Sequence, residues 1–227
     1  MSECGGPGLI LLDWYRTLST SLFWEHWSVS PDPALRDAAA RLTHALFGTR
    51  NDLIDPWLRG QLSAEQVLER LAPTTAVDPA LALRGLAESC AGMHLLSPRI
   101  LVQVDRLRAH GVAVGIATDN MDTFTRWTVP ALGLDRWFDP ILNSAERGAL
   151  KGDPLDAAGA SPFFGPLLAG LGPDASVFLI DDSAEIASVV EEAGIVFCHV
   201  SAQRSAGSWL DVLAGSLLPA GGALAGT

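Results

Sequence analysis

Two apolar patterns alternate along the chain. Residues 8–12, 112–117, 176–180 and 195–200 are short, nearly unbroken apolar runs. Runs of that length without helical spacing predict strands buried on both faces, the kind that build parallel sheets. A shorter one, Pro140 to Asn143, predicts a fifth. Elsewhere apolar residues recur at three- and four-residue spacing. That pattern predicts helices over 33–47, stopping at Gly48; over 61–71; from Asp78-Pro79 to about Gly92; and over 99–110, ended by Gly111. Ser63 and Gln66 stand at capping-box spacing in the second of these. Further helices are predicted over 121–132, from Ser161-Pro162 to Gly170, over 183–193 and near 206–217, followed by a frayed Gly/Ala-rich tail.

Strands alternating with helices imply a parallel sheet joined by right-handed crossovers. The stretch from 20 to 95 breaks the alternation, because every element in it is helical. A chain of 227 residues is about one and a half typical domains. The fold class read here is therefore α/β, a Rossmann-like three-layer parallel-sheet core over 1–19 and 96–227, with an all-helical insertion over 20–95. No internal repeat is visible.

Composition narrows the function. Hydrophobic residues make up 48% of the chain and charged residues 18%, a globular balance. No apolar run reaches the roughly 18 residues of a membrane span. The first residues carry an acid and no basic stretch, which predicts no secretory signal. Cys4, Cys90 and Cys198 are odd in number and share no metal-ligand spacing, pointing to a reducing, cytoplasmic setting. A net charge of −11 argues against a nucleic-acid partner, which needs clustered Lys and Arg. It leaves room for one phosphorylated ligand in a local pocket. Of 15 basic side chains, 14 are Arg and the single Lys is Lys151.

Parallel sheets place ligands beyond the carboxyl ends of their strands. Those ends carry Asp13, Thr118 and the Asp181-Asp182 pair. Here the sequence resembles the haloacid dehalogenase superfamily, most of whose members are magnesium-dependent phosphatases. The resemblance rests on four segments in the family's order, covering about 130 residues outside the insertion. They are Asp13-Trp14-Tyr15-Arg16-Thr17 after the first strand, Thr118-Asp119-Asn120 after the second, Gly133 through Ser144 and Gly148 to Lys151, and Asp181-Asp182-Ser183 after the fourth.

The resemblance implies that Asp13 is a nucleophile forming an aspartyl-phosphate. It implies Mg2+ held by Asp13, the backbone carbonyl of Tyr15, Asp182 and Asp181, directly or through water. Lys151 would balance these carboxylates and the phosphate, and Thr118 would donate to a phosphate oxygen. Thr17, Asp119, Asn120 and Arg16 are further candidates for substrate contact.

Three positions depart from the family's pattern. Tyr15 stands where the phosphatases carry a second Asp as general acid and base; a phenol of ordinary pKa near 10 is a poor base at neutrality. Ile186 replaces a common acid, and Gly152 a common Pro. Tyr is also what metal-independent 2-haloacid dehalogenases carry, but those lack the acidic pair, which would repel a carboxylate substrate. The lysine-dependent phosphonoacetaldehyde hydrolases are set aside because 19–97 contains no Lys. The leading reading is a magnesium-dependent phosphatase of a small phosphorylated metabolite. A dehalogenase-like hydrolase, or a weak or inactive protein that binds a phosphate ligand, remains open.

The insertion resembles the family's helical cap, which closes over the site and selects substrate. Trp24 and Trp27 could wall the substrate or form cap core, and His26 could touch substrate or replace the missing acid–base group. The other histidines are read as core or surface. Either a monomer or a homodimer fits the sequence.

Overall fold

The computed structural model describes residues 8–218; Cys4 and the tail beyond 218 lie outside them. Strand β1 (Leu9–Leu12) opens the chain. Five helices follow before the sheet resumes: α1 (Glu25–Ser28), α2 (Pro33–His44), α3 (Ile54–Leu58), α4 (Ala64–Thr75) and α5 (Pro79–Ala91). Then come α6 (Arg99–Ala109), β2 (Ala113–Thr118), α7 (Val129–Leu132), β3 (Ile141–Asn143) and α8 (Ser144–Arg147). The chain finishes with α9 (Gly165–Leu168), β4 (Val177–Asp181), α10 (Ala187–Glu192), β5 (Val196–His199) and α11 (Ala206–Leu217). Among the described residues no helix is long and apolar enough to cross a membrane.

The strands form one parallel sheet in the order β3-β2-β1-β4-β5. Successive side chains of a strand point to opposite faces, so a fully apolar strand feeds two cores. Ile10 and Leu12 join Val114, Ile116, Val104 of α6 and Leu210 of α11 on one side. Leu9 and Leu11 join Leu179, Phe163, Phe164 and Val190 on the other. Three layers result, as the unbroken apolar runs predict.

The insertion is helical throughout and shares the first of these cores, through Trp24, Trp57, Leu68 and Leu86. Its helices start where the sequence signals them. Asp32 caps α2 by accepting the Ala34 N–H, and Ser63 and Gln66 close the capping box of α4. Gly85 lets α5 lie against Trp27; a Cβ there would come within 2.1 Å of the indole. Gly60, at φ +64, ends the turn after α3, where a Cβ would meet the Ala145 carbonyl at 2.0 Å. The two connections of the insertion are tied together. The Leu96 N–H donates to the Leu18 carbonyl at 2.8 Å, and Ser21 Oγ lies 3.2 Å from His94 Nδ1.

Element lengths differ from expectation in several places. Helix α2 gives way at Ala45 to a wider turn that runs through Gly48 to Thr49, closed by Arg50 N–H to Ala45 O. Helix α4 runs past Leu71 to Thr75, and Ala76 in the left-handed region ends it. The helix predicted from Ser161 shrinks to Gly165–Leu168, since Ser161 Oγ takes the Phe164 N–H and holds the chain in a turn first. The helix predicted over 121–132 begins as a wide turn, Phe124–Thr128, before α7. That predicted over 183–193 begins as a tight turn, Ala184–Ile186, before α10. Helices α1, α3 and α8, of four or five residues, are too short for apolar periodicity to reveal.

Candidate active site

Strand register decides which acids meet. Leu12 of β1 pairs with Ile180 of β4, so Asp13 and Asp181, one residue further on, emerge side by side. Asp13 extends the pairing with its own N–H to Ile180 O, 2.9 Å. The two strands flank the point where the strand order reverses, the usual ligand crevice of such sheets. Thr118, the last residue of β2, is buried on the other side of β1.

Lys151 reaches into this edge from the loop after α8 and is buried. Its Nζ donates to Asp13 Oδ1 at 2.7 Å and to Asp181 Oδ2 at 2.5 Å. Its loop is braced from two sides. Its backbone N–H donates to Asp119 Oδ1 at 3.0 Å, and the Leu150 N–H donates to Asp153 Oδ2 at 2.9 Å. Asp153 in turn takes two hydrogen bonds from Arg59, which follows α3, at 2.6 and 2.9 Å.

The electrostatics are lopsided. One buried ammonium bonds Asp13 and Asp181, with Asp119 on its backbone N–H and Asp182 beside Asp13 and Asp181. Burial disfavours the Asp13 carboxylate and, against the pull of Lys151 and with repulsion from Asp181, pushes its pKa up to about 7. Burial also raises Asp182, with Asp181 adding to the effect, and raises Asp119 against the opposing Lys151. For Lys151, burial alone would lower the pKa, but Asp13, Asp181 and Asp119 outweigh it and the net shift is upward, so the ammonium stays charged.

Asp13, Asp181 and Asp182 each offer a carboxylate oxygen, all within 4.8 Å of one another. All-oxygen donors with surplus negative charge suit a hard divalent cation.

A cavity of about 880 Å3 opens between the loop after β1, the 119–121 loop and the inserted helices. Of the residues read from sequence, Tyr15, Trp24, Asp119 and Asn120 line it. Trp24 is at once cavity wall and core: it is 1% exposed, and its Nε1 donates to Ala82 O at 3.0 Å. Trp27 is core only, buried on Gly85. Arg16, at φ +61, is exposed with its guanidinium over the Tyr15 ring, 4.0 Å from Asp182.

Two candidates are not brought to the cavity. His26 faces α5, where its ring bonds Ser89 Oγ at 2.9 Å and Glu88 Oε2 at 3.1 Å. The helical turn of α1 points it that way, so it does not replace the missing acid–base group. Thr17 is buried beneath the loop, away from the cavity lining, and its Oγ1 has no hydrogen-bond partner among the described residues. The two other departures from the family pattern meet each other. A Cβ at Gly152 would lie 2.9 Å from Ile186 Cγ2, so the bulk at 186 occupies the space that the glycine leaves.

Sequence reasoning missed several supports. Asn143 Nδ2 donates to Met121 O and Thr125 Oγ1, while Ser144 Oγ accepts the Asn120 N–H and donates to Asn120 O. These fix the loop after Thr118. An Asn at a strand end before a helix is a capping signal, and Asn143 does cap α8; its second task needs the tertiary structure. Trp14, buried and tilted against Phe124 at 5.3 Å, forms the cavity floor. The buried Cys90 and Cys198 thiols are pushed up to about 12 and about 11, chiefly by burial, and have no part in the site.

No family model and no curated protein sequence matches this chain. Solved structures do. A predicted HAD-like family hydrolase from Porphyromonas gingivalis aligns over 95% of this chain and all of its own, with a TM-score of 0.64 and 15% identity. A HAD family enzyme from Bacteroides thetaiotaomicron, solved with magnesium and inorganic phosphate, aligns over 88% of this chain and 97% of its own (TM-score 0.57, 15% identity). L-2-haloacid dehalogenase from Xanthobacter autotrophicus, with chloropropionic acid covalently bound, aligns over 93% and 84% (TM-score 0.58, 14% identity). The chain has the haloacid dehalogenase fold. The strand-end acids described above lie at the carboxyl edge of its parallel sheet.

Proposed function

We propose that the protein is a magnesium-dependent phosphatase acting on a phosphomonoester through an aspartyl-phosphate at Asp13. One observation carries the reading: three strand-end carboxylates, Asp13, Asp181 and Asp182, cluster within 4.8 Å, and the buried Lys151 ammonium pairs with only two of them, Asp13 and Asp181, which leaves surplus negative charge at the sheet edge. That surplus suits a divalent cation and a phosphoryl group. It does not suit a free carboxylate substrate, which it would repel. The HAD neighbour solved with magnesium and phosphate supports the same choice.

Asp13 Oδ attacks phosphorus in line and the ester P–O bond breaks, with the bonding pair leaving on the alcohol oxygen. Water then attacks the phosphoaspartate, releasing inorganic phosphate and restoring the carboxylate. Lys151 holds Asp13 and Asp181 in place and offsets phosphate charge. Thr118, at the end of the adjacent strand, donates to a phosphate oxygen. Asp13, Asp181, Asp182 and the Tyr15 carbonyl would hold Mg2+, which would supply charge neutralisation for the transferring group. Asp119 takes the proton-transfer role that Tyr15 cannot perform. It lines the cavity, as Tyr15 does, and burial raises its pKa above the ordinary carboxylate value against the opposing pull of Lys151.

The test is phosphate release from an aryl phosphate. Release requires Mg2+, stops in excess chelator, and falls about 10^4-fold or more in Asp13→Asn. Chloride release from 2-chloropropionate under chelation, with no phosphate release, would overturn the proposal in favour of the dehalogenase reading, which Tyr15 favours.

A further inference from the structure

We propose that the cavity beside Asp13 holds a bulky apolar leaving group. The substrate is then the phosphomonoester of a hydrophobic alcohol or phenol, not a compact polar metabolite. This rests on the phosphatase reading and names its substrate class.

Size is the first argument. About 880 Å3 lies near the top of the roughly 300–1,000 Å3 that house drug-sized ligands, far beyond the needs of a three-carbon phosphate. The second is the wall, formed by Leu22, Phe23, Trp24, Ala39, Phe47 and Met93. The third is exposure. Tyr15, Leu22 and Phe47 stand 42%, 52% and 52% exposed around the opening. Apolar side chains left together in water at the mouth of a cavity mark a surface that an apolar ligand covers.

Several of the cavity's polar groups are committed to the protein, while Thr43 and His44 line it as exposed residues. Arg36 Nη1 donates to the carbonyls of Ser30 and Pro31. Glu25 Oε2 accepts the Leu22 N–H, Ser28 Oγ donates to Glu25 O, and Ser21 bonds His94. A sugar or polyol placed against the apolar wall would leave hydroxyls there without partners, and each unpaired hydroxyl weakens binding. The cavity is lined by Trp14 and Tyr15, which follow Asp13 in the chain, and by Asp119, which follows Thr118. The ester group of a phosphate on Asp13 would extend past these residues into the cavity.

The experiment compares butyl, hexyl and octyl phosphate with glycerol phosphate on the Mg2+-loaded protein. The value of kcat/KM rises about fourfold per buried methylene, and glycerol phosphate is the poorest substrate. In Ala40→Trp, which narrows the cavity, the rise with chain length flattens. Leu22→Asp, at an exposed position, repeats the comparison without touching the core. Glycerol phosphate equal to or better than octyl phosphate overturns the inference and leaves the phosphatase reading standing. If no ester is hydrolysed, the phosphatase reading fails, and calorimetry decides the cavity alone. Octyl phosphate binding at least tenfold tighter than glycerol phosphate supports the apolar site; equal or absent binding overturns it.

Discussion

The acid cluster and the cavity touch, yet they are built in opposite ways. The cluster is small, charged and held by strand register and a lysine with no freedom left. The cavity is large and apolar, and its walls come from separate helices and loops. The contrast shows how one site divides its labour. Register between β1 and β4 sets Asp13 beside Asp181, whereas the insertion contributes shape and polarity. A substitution in the cluster should therefore abolish function outright, and one in the cavity should change which substrate is used.

The largest stability effect expected within the cluster is for Lys151→Met. Removing one partner of a buried ion pair leaves the other charge uncompensated, at a cost of about 3–5 kcal/mol. Denaturant unfolding in chelator should show that loss, and Mg2+ should restore part of it. An equal loss with and without Mg2+ would break the assignment of the cation to these carboxylates.

Asp119 borders both regions, and Asp119→Asn sharpens the division between them. As proton carrier it contributes about 10^2-fold to kcat, with a limb of the pH–rate profile removed and KM nearly unchanged. An altered KM with an unchanged pH profile would make it a cavity wall instead.

A smaller effect belongs to the contact between insertion and core, where Arg126 pairs with Glu65 at 2.7 Å and with Asp122 at 2.7 Å. The Arg126 hydrogen bonds, opposed by partial burial, lower the Glu65 pKa to about 2. A carboxylate depressed on folding stabilises above its unfolded pKa, near 4.5, and loses that contribution as pH falls towards 2. The pair is partly exposed, so Glu65→Gln costs about 0.5–1 kcal/mol at pH 6. That difference in thermal midpoint should shrink below pH 4.5 and in high salt.

The cluster was legible in the sequence because its parts sit at strand ends, and strand ends are where unbroken apolar runs stop. Asp13, Thr118 and Asp181 needed only that rule, and Lys151 stood out as the single lysine. The cavity was not legible. Trp14 lies in the first motif segment and Met121 just past the second, but their aim into a shared space depends on how helices cross. His26 was misplaced for the same reason: one turn of α1 decides whether it faces Asp13 or α5, and a four-residue helix leaves no periodicity to read. Gly152 and Ile186 looked like two defects, and only the fold shows that each makes room for the other.

Asp153 accepts hydrogen bonds from Arg59 of the insertion and from the backbone beside Lys151. One carboxylate thus belongs to two regions at once, and coupling through a shared group is reciprocal. To whatever extent a ligand in the cavity tightens the hold of Arg59, the lysine loop is steadied by the same free energy. A phosphoryl group seated against Lys151 returns that free energy to the cavity. Recognition of the ester group and readiness to cleave it then become one equilibrium, read at two places.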